Sequence, residues 1–126
     1  WNILGWGGVN YNGSEIGPKW KPGFTKAIKY WTPSIGVSAI KFYSGEEFQE
    51  WNGKMLVASL RGMSLSIIDG LEDADPNEEM IFTNRINRIR DIEVDPKNGK
   101  IYLLGEKYFS ENGPEDDGLW VLEKKK

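Results

Sequence analysis

Four arginines, Arg61, Arg85, Arg88 and Arg90, fall within one window of the 126-residue chain, while lysine is scattered along its length. Arginine presents a planar fork of donors that suits two-pronged recognition of carboxylate or phosphate and partly buried ion pairs. The stretch "RIRDIEVD", residues 88–95, reads as a β-strand. Successive strand side chains alternate between faces, so Ile92 and Val94 share an apolar face and Asp91, Glu93 and Asp95 a polar one. By the same parity Arg88 and Arg90 continue the apolar face, which aims two cations at the core side. Two readings follow. The arginines line the mouth of an anion-binding channel, with Ile92 and Val94 packed deeper. Alternatively they form a structural ion pair with the neighbouring Asp91. Arg61 follows the apolar run "KMLVASL", 54–60, and reaches the same mouth in the first reading.

Little else in the chain has the spacing of a reactive site. There is no histidine and no cysteine, which removes the commonest general base, the imidazole ligand, the thiolate ligand and the disulfide. "DADPNEE", 73–79, resembles the start of a calcium loop, but Glu78 stands where an EF-hand needs glycine, so it reads as a solvated turn. "NGS" at 12–14 is a glycosylation acceptor only in a secreted eukaryotic chain. The acidic loop at 115–117 reads as solvated and "KKK" at 124–126 as a frayed tail. No phosphate loop, nucleophile elbow or zinc spacing is present.

The elements that must position the arginines are strands. Seven short β-rich runs are expected at 37–43, 54–60, 64–69, 78–83, 90–95, 100–105 and 118–123, separated by turn signals such as "NG", "DADPN" and "PKNG". The string "NGKMLV", 52–57, recurs as "NGKIYL" at 98–103. Self-similarity at this period marks the blades of a β-propeller, each made of four antiparallel strands. The reading is therefore all-β and antiparallel, with a loop excursion over 1–36, a four-stranded blade over 37–83 and an incomplete three-stranded blade over 84–126. A small β-sandwich with coincidental NGK turns is the alternative. The first 36 residues are rich in glycine and tryptophan and read as a long ordered excursion rather than a linker.

Bulk composition fits a single globular domain: 39% hydrophobic and 28% charged residues, with a net charge of -3. That charge argues against broad attraction to nucleic acid or anionic membrane. No apolar run approaches the roughly 20 residues that span a bilayer. The chain starts at Trp1 rather than Met and reads as a processed or excised piece of something longer. A third strand without a partner would leave an apolar edge at 118–123, so self-association is expected, by blade stacking or strand addition and most often as a dimer. The aromatic N-terminal loop folding back to cover the gap is the alternative.

The strings "NRIRD", 87–91, and "VDPKNGKIYLL", 94–104, resemble the signature of the soluble glucose/sorbosone dehydrogenases, quinoprotein aldose dehydrogenases that use pyrroloquinoline quinone. "GWGGVNYNGSEI", 5–16, and "YWTPSIGVSAIKFYSGEEFQEWNGKMLVASLR", 30–61, are similar to that family's upstream segments, so the likeness runs from about residue 4 to residue 122. It implies roughly the last two blades of a six-bladed propeller. It implies that Arg88 and Arg90 contact the quinone cofactor, that Arg61 stands where the family has a cofactor-contacting lysine, and that Trp31 lies on the sugar-side rim. It also implies an aldose substrate, calcium in the complete enzyme, and a periplasmic or secreted location. The chain departs from the pattern in three places. The family's catalytic histidine and calcium-holding residues belong to blades this chain does not contain. "LLGE", 103–106, replaces a leucine-threonine-aspartate run, and "SIGVSAI", 34–40, lacks an alanine-proline pair. No catalytic residue is therefore expected within the chain. A non-catalytic, propeller-derived binding or self-associating module is the alternative function.

Overall fold

A computed structural model describes residues 12–15, 21–107 and 116–125. The chain divides into two compact units, Trp1–Ser34 and Ile35–Lys126. In the first, the described residues form turns and bends, with one bridge residue at Glu15. The Ser14 amide and hydroxyl both donate to Asn12 Oδ1, at 3.1 and 2.8 Å, and Phe24 N donates to Lys21 O at 3.3 Å. The Gly-Trp segment at 5–10 lies outside the described residues.

The second unit is two antiparallel sheets. The first contains β1 (Val37–Phe42), β2 (Met55–Ser59), β3 (Leu65–Asp69) and β4 (Asn77–Ile81) in that order. The second contains β5 (Arg88–Val94), β6 (Ile101–Glu106) and β7 (Gly118–Leu122), also in order. All seven expected strands are present, and the all-β antiparallel reading is correct. The two NGK turns share a backbone solution. Gly53 and Gly99 adopt φ of 78° and 72°, a left-handed conformation that glycine takes without penalty. Beyond each turn the same closing bond forms: Tyr43 N donates to Lys54 O, and Asp95 N to Lys100 O, both at 2.9 Å.

The repeat extends into an irregularity that the sequence does not announce. On β1 the register slips between Val37 and Ala39, which pair with Ser59 and Ala58, and leaves Ser38 as an extra residue. On β5 it slips between Ile89 and Asp91, which pair with Gly105 and Leu104, and leaves Arg90 extra. Ser59 and Gly105 are the same distance from their NGK turns, so the two bulges occupy one repeat position. A bulge shifts the alternation by one residue. The parity drawn from the sequence is thereby corrected. Ile89, not Arg88 or Arg90, shares the core face with Ile92 and Val94, and all three are buried.

The core lies between the sheets. Leu56, Ala58, Leu65 and Ile67 from the first meet Ile89, Ile92, Val94, Ile101 and Leu103 from the second. Inner strands β1 and β5 are neighbours, joined where Ser38 Oγ donates to Ile89 O at 2.5 Å. Tyr43 closes one end. Its buried hydroxyl donates to Gly99 O at 2.7 Å and accepts from Phe48 N at 3.0 Å, while Phe48 and Trp51 stack with centroids 4.5 Å apart. The chain's last described residues are tied down rather than frayed, since Lys124 N donates to Glu47 Oε1 at 2.6 Å and Lys124 Nζ meets Glu50 at 3.1 Å.

Tyr43→Phe removes one hydroxyl and strands two buried backbone groups, Phe48 N in the β1–β2 connection and Gly99 O in the β5–β6 turn. It should lower stability by about 1–3 kcal/mol in urea unfolding. Surface pairs act more weakly. Hydrogen bonding from Lys41, then from Val94 N, holds the Glu93 carboxyl below its usual range, and Lys54 and Gly70 N do the same for Asp69. Since folding lowers these values, the unfolded chain binds more protons on acidification. The pairs therefore stabilise the fold above the carboxylate range and lose that effect as the pH falls below about 4. A stability profile in low salt should show the decline, and high salt should flatten it.

Candidate functional site

Arg88 opens β5 directly opposite Glu106, the last residue of β6. Directly opposed residues in an antiparallel pair share a face. Here it is the face turned away from the core, because the next pair, Ile89 and Gly105, is buried. The bulge then brings Arg90 back toward the same carboxylate. Arg90 Nη2 lies 2.5 Å from Glu106 Oε2, Arg90 Nε donates to that oxygen at 2.6 Å, and Arg88 Nε lies 3.5 Å from it. Two forked cations thus converge on a single carboxylate oxygen.

The structure brings Arg88 and Arg90 together on Glu106, and Arg61 does not share that carboxylate. Arg61 lies beyond β2, is exposed, and forms no ion pair among the described residues. It is fixed through its backbone, where Arg61 N donates to Ile35 O at 2.9 Å. Asp91 is not the partner of either arginine; its Oδ1 accepts from Ile92 N at 2.8 Å. Trp31 belongs to the first unit and is partly buried there. Among the described residues no three acidic side chains gather as a metal site.

Glu106 is the member that sequence reading missed. It is visible there only as a departure from a family pattern. The cross-strand register that makes it the partner of Arg88 depends on where the bulge falls. What the cluster can do is hold a carboxylate, and in this structure it already does so.

Glu106→Gln removes the charge that both arginines share, in a part-exposed setting where single ion pairs contribute little. Stability should fall by no more than about 1 kcal/mol by chemical denaturation. A larger loss would show the cluster to be part of the fold's foundation.

The family model for glucose/sorbosone dehydrogenase matches residues 1–113. The aldose sugar dehydrogenase YliI of Escherichia coli (strain K12) is 30% identical over 115 residues, covering 88% of this chain and 30% of that protein. A crystal structure of glucose dehydrogenase superposes with a TM-score of 0.78 at 28% identity, covering 99% of this chain and 34% of that one. The apo-form of the soluble aldose sugar dehydrogenase from Escherichia coli gives a TM-score of 0.74 at 26% identity, covering 98% of this chain and 34% of its own. The chain therefore spans about a third of the length of these relatives.

Proposed function

The chain belongs to the glucose/sorbosone dehydrogenase family, its two sheets are part of a β-propeller, and from that premise we propose that it forms one wall of a quinoprotein aldose dehydrogenase site. The observation that carries this is the convergence of Arg88 and Arg90 on one carboxylate oxygen. Pyrroloquinoline quinone carries three carboxylates beside its ortho-quinone, and a pair of forked cations that holds a glutamate fits such a group. When bound, the cofactor supplies the electron acceptor. Arg88 and Arg90 hold a cofactor carboxylate in exchange for Glu106. Arg61 adds a third cation, and its exposed guanidinium is available to an anion without breaking a contact. Trp31 contributes an aromatic surface on the sugar side.

The chain's own residues orient and neutralise; they do not take the proton. With no histidine among the 126 residues, the base that removes the sugar's hydroxyl proton comes from another part of the complete propeller. Periplasmic or secreted placement follows from the same family reading.

The test is titration of the chain with pyrroloquinoline quinone, followed by tryptophan quenching and equilibrium dialysis. Binding should be weak, about millimolar, because this chain contributes only one wall. Arg88→Ala and Arg90→Ala should each weaken it by about tenfold or more, since a charge-assisted hydrogen bond is worth about 1.5–3 kcal/mol. With cofactor, calcium and glucose together, dye reduction should not exceed a cofactor-only blank. Binding that is indifferent to both substitutions, or clear turnover, would sink the proposal.

A further inference from the structure

The sequence holds four Asn-Gly pairs, at 12–13, 52–53, 98–99 and 112–113. The last lies outside the described residues. An Asn-Gly pair can close on itself, because glycine has no Cβ to keep its amide nitrogen from the preceding carboxamide carbon. Whether it does so depends on what holds the glycine N–H and the carboxamide. At two of the three described pairs both are held. Gly53 N donates to Tyr43 O at 3.0 Å, and Asn52 Oδ1 accepts from Gly45 N at 2.8 Å. Gly99 N donates to Asp95 O at 2.8 Å, while Asn98 donates through Nδ2 to Asp95 Oδ2 and accepts at Oδ1 from Lys100 N, both at 2.9 Å. These bonds build the turns that precede β2 and β6, and they hold the attacking nitrogen in the turn.

The pair at 12–13 is arranged differently. Asn12, Gly13 and Ser14 are all exposed. Among the described residues the Gly13 amide makes no hydrogen bond, and nothing lies within 4 Å of the place a Cβ would take. Two donors from Ser14 meet on Asn12 Oδ1, the amide at 3.1 Å and the hydroxyl at 2.8 Å. That oxygen is the atom on which negative charge develops when a nitrogen attacks the carboxamide carbon. Donors already aimed at such an atom lower the barrier.

We propose that Asn12 is a site of self-deamidation promoted by Ser14. The Gly13 nitrogen gives up its proton to hydroxide and bonds to Asn12 Cγ, and Oδ1 becomes an oxyanion held by the two Ser14 donors. As that intermediate collapses, the Cγ–Nδ2 bond breaks, the leaving nitrogen takes a proton from water and departs as ammonia, and a succinimide remains. Water opens the ring at either carbonyl, giving aspartate or isoaspartate. The net change is one water taken up and one ammonia lost, with no oxidant or reductant. One carboxylate added to a formal net charge of -3 makes it -4, and the isoaspartate form adds a methylene to the backbone. The same three residues accept a glycan only in a secreted eukaryotic chain, whereas this reaction needs nothing but water.

The test is incubation of the folded 126-residue chain in mildly alkaline buffer, followed over time by peptide mapping in a mass spectrometer and by isoaspartate methyltransferase labelling. Asn12 should convert to aspartate and isoaspartate while Asn52 and Asn98 stay amides. In denaturing urea Asn52 and Asn98 should convert too, which places their protection in the fold rather than in the dipeptide. Ser14→Ala removes the hydroxyl donor and should slow Asn12 about fivefold in the folded chain, the effect of one neutral hydrogen bond of about 1 kcal/mol. In urea the same variant should match the parent. Ser14→Thr keeps the hydroxyl and should keep the parent's rate. Ser14 is exposed, and thermal melting checks that both variants retain the parent's fold. Conversion of Asn52 or Asn98 as fast as Asn12 in the folded chain overturns the proposal, as does a Ser14→Ala rate equal to the parent's.

Discussion

Ile89, Ile92 and Val94 cannot all face one side of a regular strand, because 89 and 92 are an odd number of residues apart. The inter-sheet core requires all three, and the strand meets that requirement by inserting Arg90 as an extra residue. Everything at the candidate site follows from that insertion. It places Arg88 opposite Glu106 instead of inside the core, and it returns Arg90 to the same carboxylate. Ser38, the extra residue at the matching position of β1, donates to the carbonyl of Ile89 just before the β5 bulge. The two irregularities are thus stitched together at the seam between the sheets.

The strands and their order were legible because they are written in period-two patterns and turn residues. "NGK" states its geometry outright: glycine at a left-handed position, in both copies. The arginine cluster was legible as a composition, four arginines in one window, and as a family resemblance. Its orientation was not. Alternation predicts faces only while the register is regular, and nothing in "RIRDIEV" marks Arg90 as the extra residue. The burial of Ile89 decides it, and burial is a property of the opposing sheet. For the same reason sequence adjacency points to Asp91 as the partner of the arginines, whereas the cross-strand register supplies Glu106.

Two guanidinium groups within 3.5 Å of one oxygen repel each other unless an anion lies between them. Glu106 supplies that anion and keeps the forks close and aligned. In this structure the place between the forks is taken by the Glu106 carboxylate, at the end of β6. Lysine at these positions would carry the charge but not the planar fork that fixes direction. The cluster's geometry comes from the sheet, and its affinity for carboxylate from arginine chemistry.

Edges show how unevenly this fold is guarded. A bare strand edge invites pairing, and charged residues are a common defence. β4 carries Glu78 and Glu79, β1 carries Lys41, and β5 alternates charges along most of its length. β7, "GLWVL", carries none, and among the described residues it pairs only with β6. Beside it Phe48, Trp51, Phe82, Ile86 and Trp120 line an apolar cleft of about 390 Å³. In the first sheet the corresponding place beside β3 is filled by β4, whose Ile81 packs against the core. An uncharged edge, an apolar cleft and an apolar outer face thus coincide on one strand. A solvent-facing edge strand gains nothing from that combination. A strand that packs against further sheet requires it, and β7 has the chemistry of an interior strand.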